Sequence, residues 1–460
     1  MSGSTDRNPR AGNGPVGLSS VEEVYASGLC HGCGTCAGVC PVGAIEMGLN
    51  DIGNELRPYL AQDECTSCGL CLEVCPGIGV DFGELNQEAF GCQPEDPLIG
   101  VARAAWVAHS SDKELRFNAS SGGVVTELCA FLLEEKWADG VVVVDSPADA
   151  PLRPRPVIAT SREELVAAAG SKYCPVAVNT ILRELRSGDG RYALVGLPCH
   201  IHGLRKAMRR DERLRSRIRY SLGPFCGGTS NFLATEYYLS RKGIRLHDVD
   251  AFRFRSKGWP GSISVTLKDG QERVYPKRFD VDGGLYLGLQ HMAAYGFRQF
   301  RPWRCITCCD HAAELADVSF CDPWLPSYIK QERVGRTFVL ARSEKGEGIV
   351  EAAAAAGRLV ADEVPIEDVI ESQIQLLRSK KALAAPLRAS RLVGLRVPEY
   401  VWRVRPAVPA SLGYSAACLA AILERWLGRH RWAWPLIFPW ASLRSALRIP
   451  GKALKKVRRR

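Results

Sequence analysis

The chain has 460 residues, of which 46% are hydrophobic, enough for roughly three domains and a substantial core. Its net charge of +10 is uneven, because residues 401–460 hold thirteen Lys or Arg and one acid, Glu424. The basic character therefore belongs to the C-terminal tail and does not describe the body. Eighteen cysteines without an apolar secretory signal favour metal ligands over disulfides and predict a cytoplasmic location.

Residues 1–20 are rich in Gly, Ser, Asn and Pro and are expected to form a disordered leader. Residues 21–95 follow as a small domain that contains two copies of one cysteine pattern. Short apolar stretches at Ala44–Met47 and Gly79–Phe82 predict its strands. Cys92 lies outside the pattern and is expected to be a spare buried thiol.

The two cysteine runs have the same spacing, C-x2-C-x2-C-x3-C-P. They are Cys30, Cys33, Cys36 and Cys40, then Cys65, Cys68, Cys71 and Cys75. In this spacing three thiolates hold one iron–sulfur cube and the fourth cysteine ligates the other cube. One 4Fe–4S cluster is therefore expected on Cys30, Cys33, Cys36 and Cys75, and a second on Cys65, Cys68, Cys71 and Cys40. Zinc and disulfides are the alternatives, but zinc prefers two separated pairs of ligands. The stretch resembles a bacterial two-cluster ferredoxin, which implies electron transfer.

The next segment, 96–400, alternates apolar strands with helical patterns and predicts a larger mixed α/β body. Strands are expected at 104–109, 141–144 and 192–196, and helices at 124–137, 161–169 and 174–186. Alternating residues at 250–275, with a Lys268-Asp-Gly turn, predict a β-hairpin. The predicted fold is thus α+β or mixed α/β: a small ferredoxin-like domain, a larger mixed α/β body and a helical tail.

Ser120, Ser121, Gly122 and Gly123 stand where a helix is expected to begin. Small residues allow close approach of a ligand, and the free N–H groups of a helix start attract phosphate. An ordinary helix cap is the alternative. Neither the G-x-G-x-x-G pattern nor a P-loop is present.

The later cysteines supply ligands for another metal centre. Cys199, Cys226, Cys305 and Cys308 are the candidates, with Cys309 or Cys321 as substitutes. A closed four-cysteine site suits a 4Fe–4S cluster and also zinc, so buried thiols with a zinc site remain the alternative. The neighbouring ferredoxin pattern favours iron–sulfur.

Several blocks in order resemble the coenzyme F-420 hydrogenase/dehydrogenase beta subunit family. They are Ser120-Ser-Gly-Gly, Ser171-Lys-Tyr, Gly196-Leu-Pro-Cys-His-Ile-His-Gly-Leu-Arg205, Phe225-Cys-Gly-Gly, Phe254-Arg-Ser-Lys-Gly-Trp259, Cys305-x2-Cys308 with Ala316-Asp-Val-Ser, and Gly335-Arg-Thr337. The match runs over about 97–345, with an N-terminal part at about 97–185 and a C-terminal part at about 190–345. It departs from the family at Leu197, His200 and Cys321-Asp322-Pro-Trp324.

The resemblance implies FAD, a cluster near the flavin, and electron exchange with coenzyme F-420, ferredoxin or a dehydrogenase subunit. Ser120–Gly123, Ser171, Lys172 and Tyr173 are the cofactor-binding candidates. Lys172 and Lys257 are candidates to stabilise a reduced flavin, and His200 to relay a proton; surface lysines and a structural histidine are the alternatives. Two rival functions are an electron-transfer subunit of a larger complex and a reductase of a membrane-linked or polysaccharide precursor.

The tail, 401–460, has one apolar helical face made by Leu419, Ile422, Leu423, Trp426 and Leu427. Tryptophans interleaved with Arg and Lys at 411–460 predict peripheral association with the inner face of an anionic membrane. A helix docked on the body with a solvated basic end is the alternative. Nucleic-acid binding is not expected, because no motif supports it.

Overall fold

The computed structural model describes residues 17–276, 278–279, 285–286, 291–296, 298–409, 412–437 and 439. Most of the predicted leader and residues 440–460, with the polybasic end at 452–460, lie outside these residues, so the expectations about them stay predictions. Among the described residues, no helix is long and apolar enough to cross a membrane.

The ferredoxin-like module is built from short elements around the cysteine runs. It contains helices Val21–Ala26, Thr35–Val39, Leu70–Glu73 and Phe82–Phe90, the 3-10 turn Gln62–Glu64, and strands Ile45–Leu49, Leu56–Leu60 and Gly79–Asp81. The first two strands form an antiparallel pair, whereas Gly79–Asp81 pairs in parallel with Glu399–Val401. Both predicted strands are present, and the second finds its partner more than 300 residues away. Cys92 is exposed, so the prediction of a buried thiol there was wrong.

The body is organised on an eight-stranded mixed sheet. In spatial order its strands are Leu359–Glu363, Ala104–Ser110, Thr337–Ala341, Val318–Cys321, Ile218–Pro224, Tyr192–Val195, Gly140–Asp145 and Arg155–Ala159. The four strands from Val318–Cys321 to Gly140–Asp145 are parallel and the others antiparallel. The continuous apolar runs of the central strands suit burial on both faces, and the predicted mixed α/β fold is confirmed.

Helices and short turns cover the sheet and extend from it. The α-helices are Lys113–Asn118, Val124–Glu134, Arg162–Ala167, Leu182–Ser187, Pro198–Arg210, Glu212–Arg217, Phe232–Ser240, Trp303–Ile306, Pro326–Gln331, Glu344–Ala355, Ile366–Lys381, Ala384–Leu392 and Leu412–Arg429, with 3-10 turns at Val178–Ile181, Leu246–Asp248 and Arg431–Ala433 and a π-helical turn at Met292–Gly296. The long helix predicted at 174–186 starts later, because Pro175 disfavours helical geometry at Cys174. Only the second half of that segment is helical.

A second sheet lies in the C-terminal half of the body. Strands Val249–Ser256, Ser262–Leu267 and Glu272–Pro276 are antiparallel in that order, and Arg278–Phe279 pairs with Leu285–Tyr286. The turn at Lys268–Gly270 joins the second and third strands, with Gly270 N donating to Leu267 O at 2.8 Å. The predicted hairpin is therefore present and extended by one further strand.

The ferredoxin-like module and the body share one core. Val39, Val80 and Phe82 of the module are buried in the same apolar cluster as Leu182 and Leu204 of the body. Burial of such side chains contributes roughly 1.5–3 kcal/mol each, so the module is held rigidly against the sheet. The shared apolar cluster therefore sets the orientation of the module, and with it the side on which its cysteines face the body.

Candidate functional site

The eight cysteines of the module separate into two groups. Cys30, Cys33, Cys36 and Cys75 all line one cavity beneath helix Val21–Ala26. Burial and then the charge of Cys75 raise the pKa of Cys33 to about 11. The pKa of Cys71 is likewise raised to about 11, by burial and then by Cys68, Cys40 and Cys65. Cys40 therefore faces the second run and Cys75 the first, the exchange that the spacing predicts.

Left-handed glycines set the geometry of both runs. Gly34 and Gly69, each between the second and third cysteines of its run, have φ of 82° and 75°. A short helix starts directly after each of them and carries the third cysteine. A Cβ on Gly34 would lie 2.9 Å from the carbonyl oxygen of Ala177, so glycine also lets the body approach the first run closely.

A third group of cysteines forms where two parallel strands end. Cys199 follows strand Tyr192–Val195 and Cys226 follows strand Ile218–Pro224. Because these strands are parallel neighbours, their carboxyl ends lie at the same edge of the sheet. Burial raises the pKa of Cys199, and the next causes are the charges of four other thiols: Cys33, Cys226, Cys305 and Cys308. The third group therefore contains the four predicted cysteines and lies beside the first run of the module.

The two substitute cysteines are both buried. Cys321 is buried in a cluster with Phe338 and Leu340. Cys309 is buried with Ala313 in the core shared with the module. Among the described residues, no three His, Cys, Asp or Glu side chains converge on one point as the ligands of a single metal ion do. A four-iron cluster spreads its thiolates round a cube, whereas zinc gathers its ligands at about 2.3 Å from one centre.

Two cations, one of them buried, face the third group. The ammonium of Lys380 donates to the carbonyl oxygen of Cys305 at 3.1 Å. Burial opposes its charge, but the thiolates of Cys308, Cys226 and Cys305 outweigh that effect and raise its pKa. Arg301 is also near Cys305, and burial lowers its pKa. These cations offset the negative charge that four thiolates bring into a low-dielectric interior.

The two predicted cofactor-binding segments are joined by a hydrogen bond. Ser171 N donates to Ser120 Oγ at 2.7 Å, and Gly122 N donates to Thr337 Oγ1 at 2.9 Å. Gly123 is in the left-handed conformation at the start of helix Val124–Glu134, which has no side-chain cap. Three separate blocks of the sequence therefore meet at one helix N-terminus, where backbone N–H groups favour an anion.

Lys172 and Tyr173 lie at the same place. Burial lowers the pKa of Lys172 to about 8, with Asp145 opposing the shift, and its ammonium donates to Ala168 O. Tyr173 packs edge-to-face on Phe254 with ring centroids 5.5 Å apart. Lys172 thus keeps its positive charge at neutral pH and loses it as the pH rises through about 8.

A buried ion pair that sequence reasoning missed completes this region. Arg255 donates two hydrogen bonds to Asp322, at 2.7 and 3.0 Å, and Trp259 Nε1 donates to the same carboxylate at 3.0 Å. Asp322 also lies close to Ser121, whose hydroxyl donates to Arg336 O at 2.6 Å. Both residues lie in segments that the sequence analysis singled out. Arg255 belongs to the block Phe254–Trp259 that resembles the family, and Asp322 belongs to the segment 321–324 that departs from it.

Two candidate residues have ordinary structural partners. Lys257 pairs with Glu272 at 2.5 Å at the surface. His200 uses both ring nitrogens, with Leu197 N donating to Nδ1 at 3.1 Å and Nε2 lying 3.0 Å from Val176 O. Burial lowers the pKa of His200 to about 4. These contacts favour the surface-lysine and structural-histidine alternatives.

A hydrogen-bonded chain connects this region with the third cysteine group. Gln373 donates to Asp322 O at 2.7 Å and contacts His311 Nε2 at 3.1 Å. Cys226 N donates to His311 O at 2.8 Å.

Three features together define the class of protein as an iron–sulfur oxidoreductase. They are the cysteine-rich module, the sheet edge that gathers four more cysteines, and the adjoining helix start that favours an anion.

Comparisons with known proteins identify the family of the chain. Two family models describe the N-terminal and C-terminal parts of the coenzyme F-420 hydrogenase/dehydrogenase beta subunit, and they match residues 105–183 and 189–367 respectively. Residues 29–77 match a "4Fe-4S dicluster domain". The two beta-subunit models together cover more than half of the chain. The chain therefore belongs to the coenzyme F-420 hydrogenase/dehydrogenase beta subunit family and carries a 4Fe–4S dicluster domain.

Relatives of the chain include a reductase and a hydrogenase subunit. The coenzyme F-420-dependent sulfite reductase of Methanocaldococcus jannaschii is 27% identical over 78% of this chain, which spans only 51% of that protein. The coenzyme F-420 hydrogenase subunit beta of Methanosarcina barkeri is 28% identical over 62% of this chain and 89% of its own length. A structure of the F-420-reducing [NiFe] hydrogenase complex from Methanosarcina barkeri aligns at 24% identity and a TM-score of 0.49, covering 65% of this chain and 93% of that one.

Proposed function

We propose that the protein couples one-electron transfer through three 4Fe–4S clusters to hydride chemistry at FAD, with coenzyme F-420 as donor or acceptor. The proposed ligands are the two groups of the module and, for the third cluster, Cys199, Cys226, Cys305 and Cys308. The observation that carries the proposal is the position of this third group, which adjoins Cys33 on one side and the hydrogen-bonded chain to Asp322 on the other.

The contacts between thiols support an order for the clusters. Cys199 of the third group interacts with Cys33 of the first, and Cys36 of the first group interacts with Cys71 of the second. Cys68 of the second group is exposed. We therefore propose the order third, first, second, with the second cluster exchanging electrons with an external redox partner such as ferredoxin.

The residues near the uncapped helix start fit FAD. Backbone N–H groups at Gly123 and the following turn would hold phosphate, and Lys172 would place positive charge beside a reduced flavin. When bound, FAD takes up a hydride as an electron pair and releases the electrons singly, which matches one-electron clusters. Ser120, Ser171 and Tyr173 would shape the site through the contacts described above.

The first test mixes anaerobically purified protein with reduced coenzyme F-420 in a stopped-flow spectrometer. We expect FAD and about twelve irons per chain, the count for three four-iron cubes, and bleaching of both flavin and cluster absorbance. Flavin and iron without any bleaching would contradict coenzyme F-420 as the donor. Iron without flavin would contradict the flavoprotein proposal itself.

A second prediction separates the two candidate lysines. Lys172→Met is expected to lower the flavin reduction potential by about 30 mV or more, a tenfold change in a two-electron equilibrium. The effect should shrink as the pH rises above the Lys172 pKa of about 8, because the wild-type lysine then loses its charge. Lys257→Met is the matched control and should leave the potential unchanged, since Lys257 is neutralised by Glu272. The flavin reduction potentials are measured by dye-coupled titration. Equal shifts of this potential in Lys172→Met and Lys257→Met would argue against the role of Lys172.

An electron-transfer subunit of a larger complex is the second candidate. It is favoured by the relatives named as hydrogenase beta subunits and by the exposed Cys68. Stable co-purification with a catalytic partner would support it. We further propose a cytoplasmic location, in which all eighteen cysteines stay free of disulfides as they are in this structure.

A further inference from the structure

The tail helix Leu412–Arg429 is docked on the body by one face. Cys418 and Ala421 pack in an apolar cluster with Trp303 and Ala389. The carboxylate of Glu424 is fully buried and accepts a hydrogen bond from Arg298 N at 3.2 Å. The helix is therefore a fixed part of the structure, as the docked alternative for the tail expects.

The opposite face of the same helix is apolar and exposed. Leu419, Ile422, Leu423 and Trp426 follow the i, i+3, i+4, i+7 spacing of one helical face, and all four are exposed. Trp432 and Leu436 continue this surface beyond the helix, with 68% and 53% of their area exposed. Leu427, which the sequence placed on the same face, is instead buried against the body.

The indole of Trp426 ties the two parts of this surface together. Its ring centroid lies 5.3 Å from that of Trp432 and 5.2 Å from that of His430. Contiguous exposed apolar surface is uncommon on a monomer and usually marks an interaction site. We call Leu419, Ile422, Leu423, Trp426, Trp432 and Leu436 the tail patch.

The charges of the tail indicate which kind of partner the tail patch would bind. Glu424 is the only acid in residues 401–460, and it is fully buried, so the described part of the tail exposes no acidic side chain. Arg429 is exposed beside the patch. The sequence from 441 to 460 adds eight further Lys or Arg without an acid.

We propose that the tail patch docks the protein on an anionic lipid surface. Apolar side chains and tryptophans enter the interface of a bilayer, and cations such as Arg429 pair with anionic headgroups. A bilayer leaflet supplies both an apolar layer and a negative surface, which matches the combination seen here. The proposal concerns a surface of the fold and does not depend on the redox function.

The test measures binding of the full-length holoprotein to phosphatidylglycerol/phosphatidylcholine vesicles by co-sedimentation. Binding should be strong on these vesicles, weak on pure phosphatidylcholine, and should decrease with added salt. The triple variant Leu419→Gln, Leu423→Gln, Trp426→Gln should bind at least roughly tenfold more weakly, because it loses the apolar part of the interaction. It keeps every cation, so residual binding would measure charge alone.

The matched control replaces exposed apolar residues elsewhere, Leu246→Gln and Val360→Gln, and should bind like the wild type. Circular dichroism verifies that all variants are folded. Equal binding by the triple variant, or equal binding of the wild type to neutral vesicles, would overturn the proposal. The proposal would also be overturned if the wild type did not bind vesicles and instead formed a dimer, or a complex with another protein, that the triple variant no longer forms.

Discussion

Replacing Cys305 with alanine is expected to lower the iron content from about twelve to about eight per chain, since one four-iron cube loses a ligand. The variant should keep the clusters of the ferredoxin-like module, because their cysteines are held by a separate cavity and separate short helices. Reduction of those clusters by coenzyme F-420 should be lost, because the third group lies between them and the proposed flavin site. Iron and sulfide quantitation with electron paramagnetic resonance measures both effects.

The chain provides a matched control for this substitution. Cys321 is also a buried cysteine, but it packs against Phe338 and Leu340, so Cys321→Ala should retain about twelve irons, as three intact four-iron clusters require. Cys199→Ala provides a second variant in case Cys305→Ala does not fold. Unchanged iron in both ligand variants, or an equal loss in Cys321→Ala, would contradict the third cluster.

Asp322→Asn is expected to destabilise the protein by about 3–5 kcal/mol, the usual effect of removing one partner from a buried ion pair. The substitution leaves the guanidinium of Arg255 without its carboxylate and weakens the hydrogen bond from Trp259, beside Ser121. Because these groups contact the helix start at Ser120–Gly123, flavin should also be released more readily. Chemical unfolding under anaerobic conditions and flavin fluorescence test the two effects.

The same pair predicts a pH dependence. Burial raises the pKa of Asp322, but the charge of Arg255 and the hydrogen bonds outweigh that effect and lower it. A carboxyl whose folded-state pKa lies below its unfolded value stabilises the fold above about pH 4, and the contribution is lost as the pH falls further. Asp322→Asn should remove this acid-sensitive part of the stability.

Asp362→Asn is the control for the pair. Asp362 is mostly exposed and lies 3.3 Å from Arg336, so its loss should cost roughly 0–1 kcal/mol. Similar free energies of unfolding for the two variants would show that burial of Arg255 and Asp322 does not have the assumed effect. Flavin retention by Asp322→Asn at wild-type affinity would separate the pair from the cofactor site.

Local patterns were the most predictable part of the molecule. The paired cysteine spacing predicts two groups of thiols and the exchange of Cys40 and Cys75, because a short loop leaves few ways to arrange its ligands. Continuous apolar runs located strands at 104–110, 140–145 and 192–195. Predictions were less accurate where one residue overrode a pattern, as Pro175 did at the start of the helix predicted at 174–186.

Spacing and periodicity over a few dozen residues were enough to predict the ferredoxin-like module, the mixed α/β class and the cysteines available for a third centre. What those residues contact depends on how distant segments pack in the folded protein. In the folded protein Cys199 lies beside Cys33, and Arg255 pairs with Asp322. Lys257 and His200 have ordinary structural partners. Four residues of the tail helix face outward, whereas Leu427 is buried. Such contacts join positions tens to hundreds of residues apart. Their geometry is set by the packing of the module, sheet and tail in one core, which local sequence patterns do not encode.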